Sequence, residues 1–152
     1  MTLYIDEKNL EDIDDFDAII DVRSPREFHE DHIIGSVNLP VLKNSEYEKV
    51  GTIYQNISPF EAKKVGARLV SLNISSHLET FFHNKKKSFR PLFYCARGGQ
   101  RSNSFAIICA SIGWKCSTLD GGYKTYRKSI IDEIKQFSEV SKIIIISGKT
   151  GN

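Results

Sequence analysis

Residues 91–102 read PLFYCARGGQRS, and this stretch decides the fold that we expect for the chain. Its first four residues carry no charge and predict a buried strand that runs directly into Cys95. Two glycines then interrupt regular structure, and the residues from Ser102 to Ile112 are typical of a helix that Gly113 ends. A strand, a glycine-rich turn and a helix in this order indicate one unit of an α/β protein.

Short apolar runs alternate with helix-like stretches along the rest of the chain. This alternation predicts an α/β fold with a central, mostly parallel β-sheet and helices on both faces. The further strands that we predict are residues 17–22, 36–39, 116–119 and 143–146, and the last helix is predicted at residues 123–137.

Two other helices have recognisable signals. The sequence Ser24-Pro25-Arg26-Glu27 has the residue types of a capped helix start, and we expect Gly35 to close that helix. Residues 59–83 form a second helix, with a break predicted near Asn73. The apolar face predicted for it consists of Phe60, Val65, Leu69 and Leu72.

The loop after Cys95 has the residue types of an anion-binding site. A thiol between a strand and a helix N-terminus lies where main-chain N–H groups converge. Gly98 and Gly99 allow the backbone to curl into a nest, and Arg97 and Arg101 add charges that pair with a tetrahedral oxyanion. All three effects favour the thiolate, so we predict that Cys95 is a nucleophile with a lowered pKa.

The predicted anion-binding loop has seven members, and two of them have more specific expectations. Ser102 is expected to cap the following helix, and Gln100 either positions the donor or only fills the loop. The members are Ala96, Arg97, Gly98, Gly99, Gln100, Arg101 and Ser102.

Two chemistries suit such a loop. A cysteine followed at the sixth position by Arg101 is also the pattern of a cysteine phosphatase, which needs a general acid for the leaving oxygen. Tyr94 stands where such phosphatases usually place a histidine, and no Trp-Pro-Asp acid loop is present, because Lys115 follows Trp114. Transfer of sulfur or selenium needs the nucleophile and the anion cradle, but no separate acid.

Composition narrows the class of protein. The 152 residues suit one domain, and the chain has neither an apolar stretch of membrane-spanning length nor an apolar secretory leader, so we expect a cytoplasmic protein. Three cysteines indicate a reducing compartment, with Cys109 and Cys116 as core thiols and Cys116 alternatively a resolving thiol. We predict no metal site and no permanently bound cofactor.

Charge is distributed unevenly along the chain. Residues 1–31 hold 11 of the 19 acidic residues and 3 of the 21 basic ones, so the remainder is strongly basic. A basic surface of this kind attracts polyanions, although an ordinary solvated surface gives the same composition.

Three segments of the chain, including the loop after Cys95, carry a resemblance to a known family. The segments 21–40, 119–123 and 95–102 together resemble a rhodanese domain. Within the rhodaneses, the loop from Cys95 and the insertion at residues 50–70 most resemble the N-terminal half of the bacterial tRNA 2-selenouridine synthase family. In such a domain, Glu27, His32 and Asn38 are expected to make local hydrogen bonds rather than to catalyse.

The resemblance implies a reaction on the wobble uridine of tRNA. The 2-thio group is geranylated with geranyl diphosphate, and selenium from selenophosphate then replaces the geranylthio group. Cys95 would carry the selenium as a perselenide, while the loop holds selenophosphate and stabilises the leaving phosphate. The implied partners are tRNA and a selenophosphate-supplying enzyme. Basic residues expected to contact tRNA, each equally an ordinary surface charge, are Lys85, Lys86, Lys87, Arg90, Lys124, Arg127 and Lys128.

The resemblance also implies a division of the chain. Residues 1–140 are expected to form the rhodanese domain, and residues 141–152 to begin a truncated P-loop domain that continues beyond this chain. A polar tail after an edge strand is the alternative. A generic thiosulfate or persulfide sulfurtransferase, a cysteine phosphatase and a non-catalytic binding module remain as other functions.

Overall fold

The structure is a computed structural model that describes residues 5–8 and 10–140. Five parallel strands form one sheet in the order β1-β5-β4-β2-β3. The strands are β1 Ile5–Lys8, β2 Ala18–Asp21, β3 Val37–Asn38, β4 Pro91–Tyr94 and β5 Cys116–Leu119. The helices are a short 3-10 helix at Leu10–Asp15, α1 Pro25–Glu30, α2 Asn44–Asn56, α3 Pro59–Thr80, α4 Gln100–Ile112 and α5 Gly122–Val140.

Alternation along β4 divides the core between the two faces of the sheet. Phe93 belongs to a large apolar cluster with Phe82, Phe105 and Cys109, which come from the α3 and α4 side. The neighbouring side chains Leu92 and Tyr94 belong to a second cluster, with residues of the 3-10 helix and of α5. Because successive strand residues point to opposite faces, this division confirms a parallel α/β sheet covered on both sides.

The start of α1 confirms the capping prediction, whereas its end does not. Ser24 Oγ accepts a hydrogen bond from Glu27 N, and Glu27 Oε2 accepts one from Ser24 N, which completes a capping box. The helix ends at Glu30, so the prediction that Gly35 closes it is wrong. Gly35 instead occupies a turn with a φ of 79°, a conformation that glycine adopts without strain.

The second predicted helix is continuous, and the face that it turns to the core shares only Leu69, among its buried residues, with the predicted one. α3 passes through Asn73 without a break, and the Asn73 side chain donates to Val41 O at 3.0 Å and to Glu46 Oε2 at 2.7 Å instead of interrupting the helix. Phe60 and Leu72, predicted on the buried face, are 70% and 58% exposed. The residues that α3 buries are Ala62, Gly66, Leu69 and Ile74.

The unpredicted helix α2 packs against α3, so residues 44–80 form a helical pair beside the sheet. The predicted strand at residues 143–146 and the predicted P-loop segment at residues 141–152 lie outside the described residues. Helix α5 begins at Gly122, one residue before its predicted start.

A buried polar network lies at the carboxyl end of β2. The Tyr94 hydroxyl donates to Asp21 Oδ2 at 2.6 Å and accepts from Ile33 N at 3.2 Å. Arg23 pairs with the same carboxylate at 2.7 Å. Burial and the neighbouring Asp21 charge raise the pKa of Tyr94, so its hydroxyl keeps its proton and remains the donor.

We predict that Tyr94→Phe destabilises the chain by about 1–3 kcal/mol, because it leaves buried hydrogen-bonding groups without a partner. Tyr54→Phe is the matched control, since Tyr54 is 56% exposed and its hydroxyl makes no hydrogen bond with a described residue. Urea unfolding followed by circular dichroism measures both. Equal midpoints for the two variants would contradict the importance of the network.

Candidate active site

Cys95 follows β4 directly and therefore lies at the carboxyl edge of the parallel sheet. Ligands of open α/β sheets bind at this edge. The Cys95 side chain is largely buried, with 4% of the residue exposed, and it is a free thiol.

Hydrogen-bond donors of the loop and of α4 converge on the sulfur. Gly99 N lies 3.1 Å from Cys95 Sγ, and Ser102 Oγ lies 3.4 Å from it. Burial alone would raise the pKa of Cys95, but hydrogen bonds from Ser102, Gly99 and Arg97 outweigh burial and lower it below the ordinary thiol value. The geometry therefore stabilises the thiolate, which is the nucleophilic form.

Ser102 has a different place from the one predicted. The helix begins at Gln100, so Gly99 is the N-cap and the prediction that Ser102 caps α4 is wrong. Ser102 lies one turn inside the helix and is fully buried, and its one hydroxyl proton is shared between Cys95 Sγ and Gly99 O, which lies 3.1 Å from Oγ. The residue was identified from its sequence position, but its contact with the thiol could not be read from that position.

The first turn of α5 makes hydrogen bonds to the main chain of the loop that follows Cys95. Tyr123 N donates to Cys95 O at 2.9 Å, and Lys124 N donates to Ala96 O at 3.0 Å. Gly122 makes this approach possible, because a Cβ there would overlap Cys95 O and come within 2.7 Å of Gly98 N. Gly98 has a φ of 64° and is similarly confined.

The two arginines of the loop have different surroundings. Arg101 makes a two-bond ion pair with Glu27, at 2.8 and 3.2 Å, and lies 5.0 Å from the ring centroid of Tyr47. Burial opposes the charge of Glu27, but Arg101 and Ser24 hold the pKa of this carboxyl below its ordinary value. Arg97 is exposed, and its side chain makes no hydrogen bond or ion pair with a described residue.

Glu27 therefore links α1 to the active loop, a role that the sequence did not reveal because the partners are 74 positions apart. The predictions for His32 and Asn38 are confirmed, since both make local hydrogen bonds with the main chain. Gln100 is exposed at the start of α4 and makes no side-chain hydrogen bond with a described residue.

The basic residues expected to contact tRNA fall at opposite edges of the sheet. Lys124, Arg127 and Lys128 are exposed on the first half of α5, the helix whose first turn contacts the loop. The residues before β4 lie at the amino edge, away from Cys95. The structure thus places Lys124 beside the active loop, with Arg127 and Lys128 farther along the same helix, but does not bring Lys85, Lys86, Lys87 and Arg90 there.

The other cysteines are buried in the core, which confirms their prediction as core thiols. Cys116 and burial raise the pKa of Cys109, so the Cys109 thiol remains protonated. Within residues 5–8 and 10–140, no cluster of three His, Cys, Asp or Glu residues could hold a metal ion. In the same part of the chain, no helix has the length and apolar character needed to cross a membrane.

We predict that Ser102→Ala raises the pKa of Cys95 and slows alkylation by iodoacetamide about fivefold at neutral pH, because one hydrogen bond to the thiolate is lost. The pH dependence of the alkylation rate gives the pKa, and its inflection should move to higher pH. Ser104→Ala is the control, since Ser104 Oγ donates to Gln100 O on the same helix. An unchanged inflection in Ser102→Ala would show that this hydroxyl does not stabilise the thiolate.

We also predict that Gly122→Ala destabilises the chain by at least about 1 kcal/mol and displaces the loop, because the residue has a φ of 59° and no space for a Cβ. Gly51→Ala is the control, since a Cβ at this helical position meets open space and should stabilise by about 0.5–1 kcal/mol. Thermal unfolding and the alkylation rate of Cys95 measure both effects. A Gly122→Ala variant as stable and as reactive as the wild type would refute the close approach.

Comparisons with known proteins agree with this geometry. A model of the rhodanese-like domain matches residues 6–129. A tRNA 2-selenouridine synthase from Bdellovibrio bacteriovorus is 36% identical over 135 residues, which are 88% of this chain and 36% of that protein. One from Nitrosomonas europaea is also 36% identical over 135 residues, covering 88% of this chain and 35% of its own length. The chain thus spans little more than a third of these curated relatives.

Solved structures show the same fold. The N-terminal domain of a candidate ATP/GTP binding protein from Clostridium difficile 630 has a TM-score of 0.68 and 36% identity, over 82% of this chain and 98% of that domain. A rhodanese-related protein from Thermoplasma volcanium has a TM-score of 0.51 at 17% identity, over 82% of this chain and 92% of that one, and this likeness concerns the fold alone. From the match over residues 6–129, together with the thiol at the carboxyl edge of the sheet, it follows that the chain belongs to the rhodanese-like domain family.

Proposed function

We propose that this chain is a rhodanese-type transferase in which the Cys95 thiolate accepts sulfur or selenium from a donor and passes it to an acceptor. The observation that carries the proposal is the convergence of Gly99 N and Ser102 Oγ on Cys95 Sγ. These donors stabilise the attacking thiolate and also the anionic persulfide or perselenide that replaces it.

The ion pair of Glu27 favours transfer over phosphate ester hydrolysis. A phosphatase needs a protonated acid to donate to the leaving oxygen. Glu27 is the carboxylate that pairs with the active loop, and its lowered pKa keeps it ionised at neutral pH. It therefore supports Arg101 rather than supplying a proton.

The finer form of the proposal concerns RNA. Because the curated relatives are tRNA 2-selenouridine synthases, we infer that the acceptor is the wobble uridine of tRNA and that selenium replaces its geranylated 2-thio group. Selenophosphate would be the selenium donor, delivered by the enzyme that makes it, and geranyl diphosphate the prenyl donor. Since the chain spans about a third of those relatives, the full reaction in the cytoplasm would also require a following P-loop domain.

The bonds that change depend on the donor. With thiosulfate, a bond forms between Cys95 Sγ and the outer sulfur, and sulfite leaves with the electron pair of the broken S–S bond. With selenophosphate, attack on selenium yields a perselenide only when phosphorus leaves with the electron pair, as phosphite. Release of orthophosphate would instead leave selenide, so the leaving phosphate that the resemblance implies does not balance with a perselenide in one step. The phosphorus product therefore shows how selenium moves.

We predict that incubation with thiosulfate or selenophosphate adds one sulfur or one selenium atom to the chain, and that Cys95→Ser abolishes the addition. Intact mass measurement under non-reducing conditions detects the adduct, and phosphorus NMR identifies phosphite or orthophosphate. Cys109→Ala is the control, because Cys109 is a buried core thiol and its loss should leave the adduct intact.

The possible results separate the functions. An adduct from thiosulfate but not from selenophosphate would support a generic sulfurtransferase. Hydrolysis of an aryl phosphate without any adduct would refute transfer and favour a phosphatase. Absence of both reactions would leave a binding module, in which Cys95→Ser does not change partner affinity.

A further inference from the structure

A groove of about 970 Å3 lies between α2, α3 and α4, and nothing in the chemistry of Cys95 accounts for it. It begins at Gln100 and Arg101, within the segment whose Gly99 and Ser102 contact the sulfur. Cys95 itself does not line the groove. The groove therefore adjoins the segment that follows the reacting atom.

Small residues of α3 form one wall of the groove. Ala62, Gly66 and Ala67 line it, and their short side chains leave the space that larger residues would fill. Val70 and Ile107 extend this apolar surface. A cavity of this volume with a mainly apolar surface is typical of sites that enclose a small molecule or one group of a larger substrate.

Polar groups surround the apolar wall. Tyr47 and Tyr54, seven positions apart on α2, present aromatic rings that are 44% and 56% exposed. The amide groups of Gln55, Gln100 and Asn103 also line the groove, and none of them makes a side-chain hydrogen bond with a described residue. The groove thus combines apolar and aromatic surfaces with hydrogen-bonding groups that have free donors and acceptors.

The combination of apolar and hydrogen-bonding surfaces does not suit an oxyanion donor but suits a nucleobase. An oxyanion donor is small and charged, and it gains nothing from an apolar wall. A nucleobase has two apolar faces and a polar edge, and proteins recognise unstacked bases by aromatic stacking together with hydrogen bonds to that edge. The polarity of the groove matches a base better than a purely aliphatic group, because only the base has a polar edge that can use these amides.

We propose that this groove binds the nucleobase of the RNA acceptor, with its face against Tyr54 and its edge toward the amides of Gln100 and Asn103. The proposal rests on the proposed function, since it supplies the acceptor site for a chalcogen carried on Cys95. Arg101 lies at the junction, because it lines the groove, lies over the ring of Tyr47 and belongs to the loop that follows Cys95. The helical pair α2–α3 is then the element that selects the acceptor.

The first experiment removes the base from the RNA and the ring from the protein. Fluorescence anisotropy measures binding of an anticodon stem-loop RNA with uridine at the wobble position, and of the same RNA with an abasic site there. Stacking of one base predicts that base removal weakens binding to the wild type by roughly 5- to 150-fold. Tyr54→Phe should keep this dependence, whereas Tyr54→Ala should lose most of it.

Phe137→Ala is the matched control, since Phe137 is also an exposed aromatic residue, 69% exposed on α5, and lies outside the groove. It should bind both RNAs as the wild type does. An equal effect of base removal on the wild type and on Tyr54→Ala would overturn the proposal. So would binding that ignores the base, which would indicate recognition of the RNA backbone alone.

Photocrosslinking covers the case of weak binding. An RNA with 4-thiouridine at the wobble position should crosslink to residues of the groove, and Ala67→Phe should suppress these crosslinks by filling the space. Ala67→Ser keeps the space and should retain them. Crosslinks confined to other surfaces, or none, would overturn the proposal.

The RNA-binding experiments and the loading of Cys95 test the two proposals separately. Loading of the wild-type chain from thiosulfate or selenophosphate decides the proposed function. Loading without base-dependent binding would refute the groove alone, whereas base-dependent binding without loading would refute the transferase and leave a site for RNA.

Discussion

The hydrogen bonds from the first turn of α5 to the carbonyl oxygens of Cys95 and Ala96 are the interaction on which the candidate site depends. A peptide chain that turns several N–H groups toward one sulfur must turn its carbonyl groups elsewhere, and buried carbonyl groups need donors. The first N–H groups of a helix have no partner within that helix. The main-chain N–H groups of Tyr123 and Lys124, which have no partner within α5, therefore pair with the carbonyl groups of the loop. This close approach requires that residue 122 have no side chain, as in glycine.

The buried polar network fixes the position of that helix turn. Arg23, held by Asp21, lies over the ring of Tyr123 at 4.1 Å from its centroid, and the Tyr123 hydroxyl donates to Asp31. The same residue thus contacts the network with its side chain and the loop with its main chain. Tyr94 connects the network to the strand that ends at Cys95. The end of β2 and the start of α5 consequently position the thiol together.

Local chemistry explains which parts of this fold could be predicted from the sequence. β4 and β5 have the predicted bounds, because short apolar runs between turns are sufficient to identify buried strands. The start of α1 was equally clear, because a capping box needs only neighbouring residues. The predicted apolar face of α3 is right at Leu69 but wrong at Phe60 and Leu72, because this helix packs against α2, and a small-residue face is as suitable for that contact as a large apolar one.

Contacts between distant residues explain the rest. The ion pair of Arg101 with Glu27 joins residues that are 74 positions apart, so no local sequence pattern predicts it. Ser102 has the residue type of a helix cap, but Gly99 starts the helix, which turns the serine hydroxyl to the thiol. The direction of β4 places the lysines before it at the edge of the sheet opposite Cys95. The distribution of charge along the sequence does not predict this placement.

The two arginines of the loop differ in how much of their charge is compensated. Glu27 already compensates the charge of Arg101, so among the described residues of the loop the uncompensated positive side chain is Arg97, which is exposed to solvent. The donors that contact the sulfur itself, Gly99 N and Ser102 Oγ, are neutral. Such a site stabilises a single negative charge on Sγ, or on a chalcogen attached to it, through neutral hydrogen-bond donors. The charge that Arg97 leaves exposed is available to a dianionic donor such as thiosulfate or selenophosphate, so the loop suits a thiolate that is loaded with a chalcogen and then carries it.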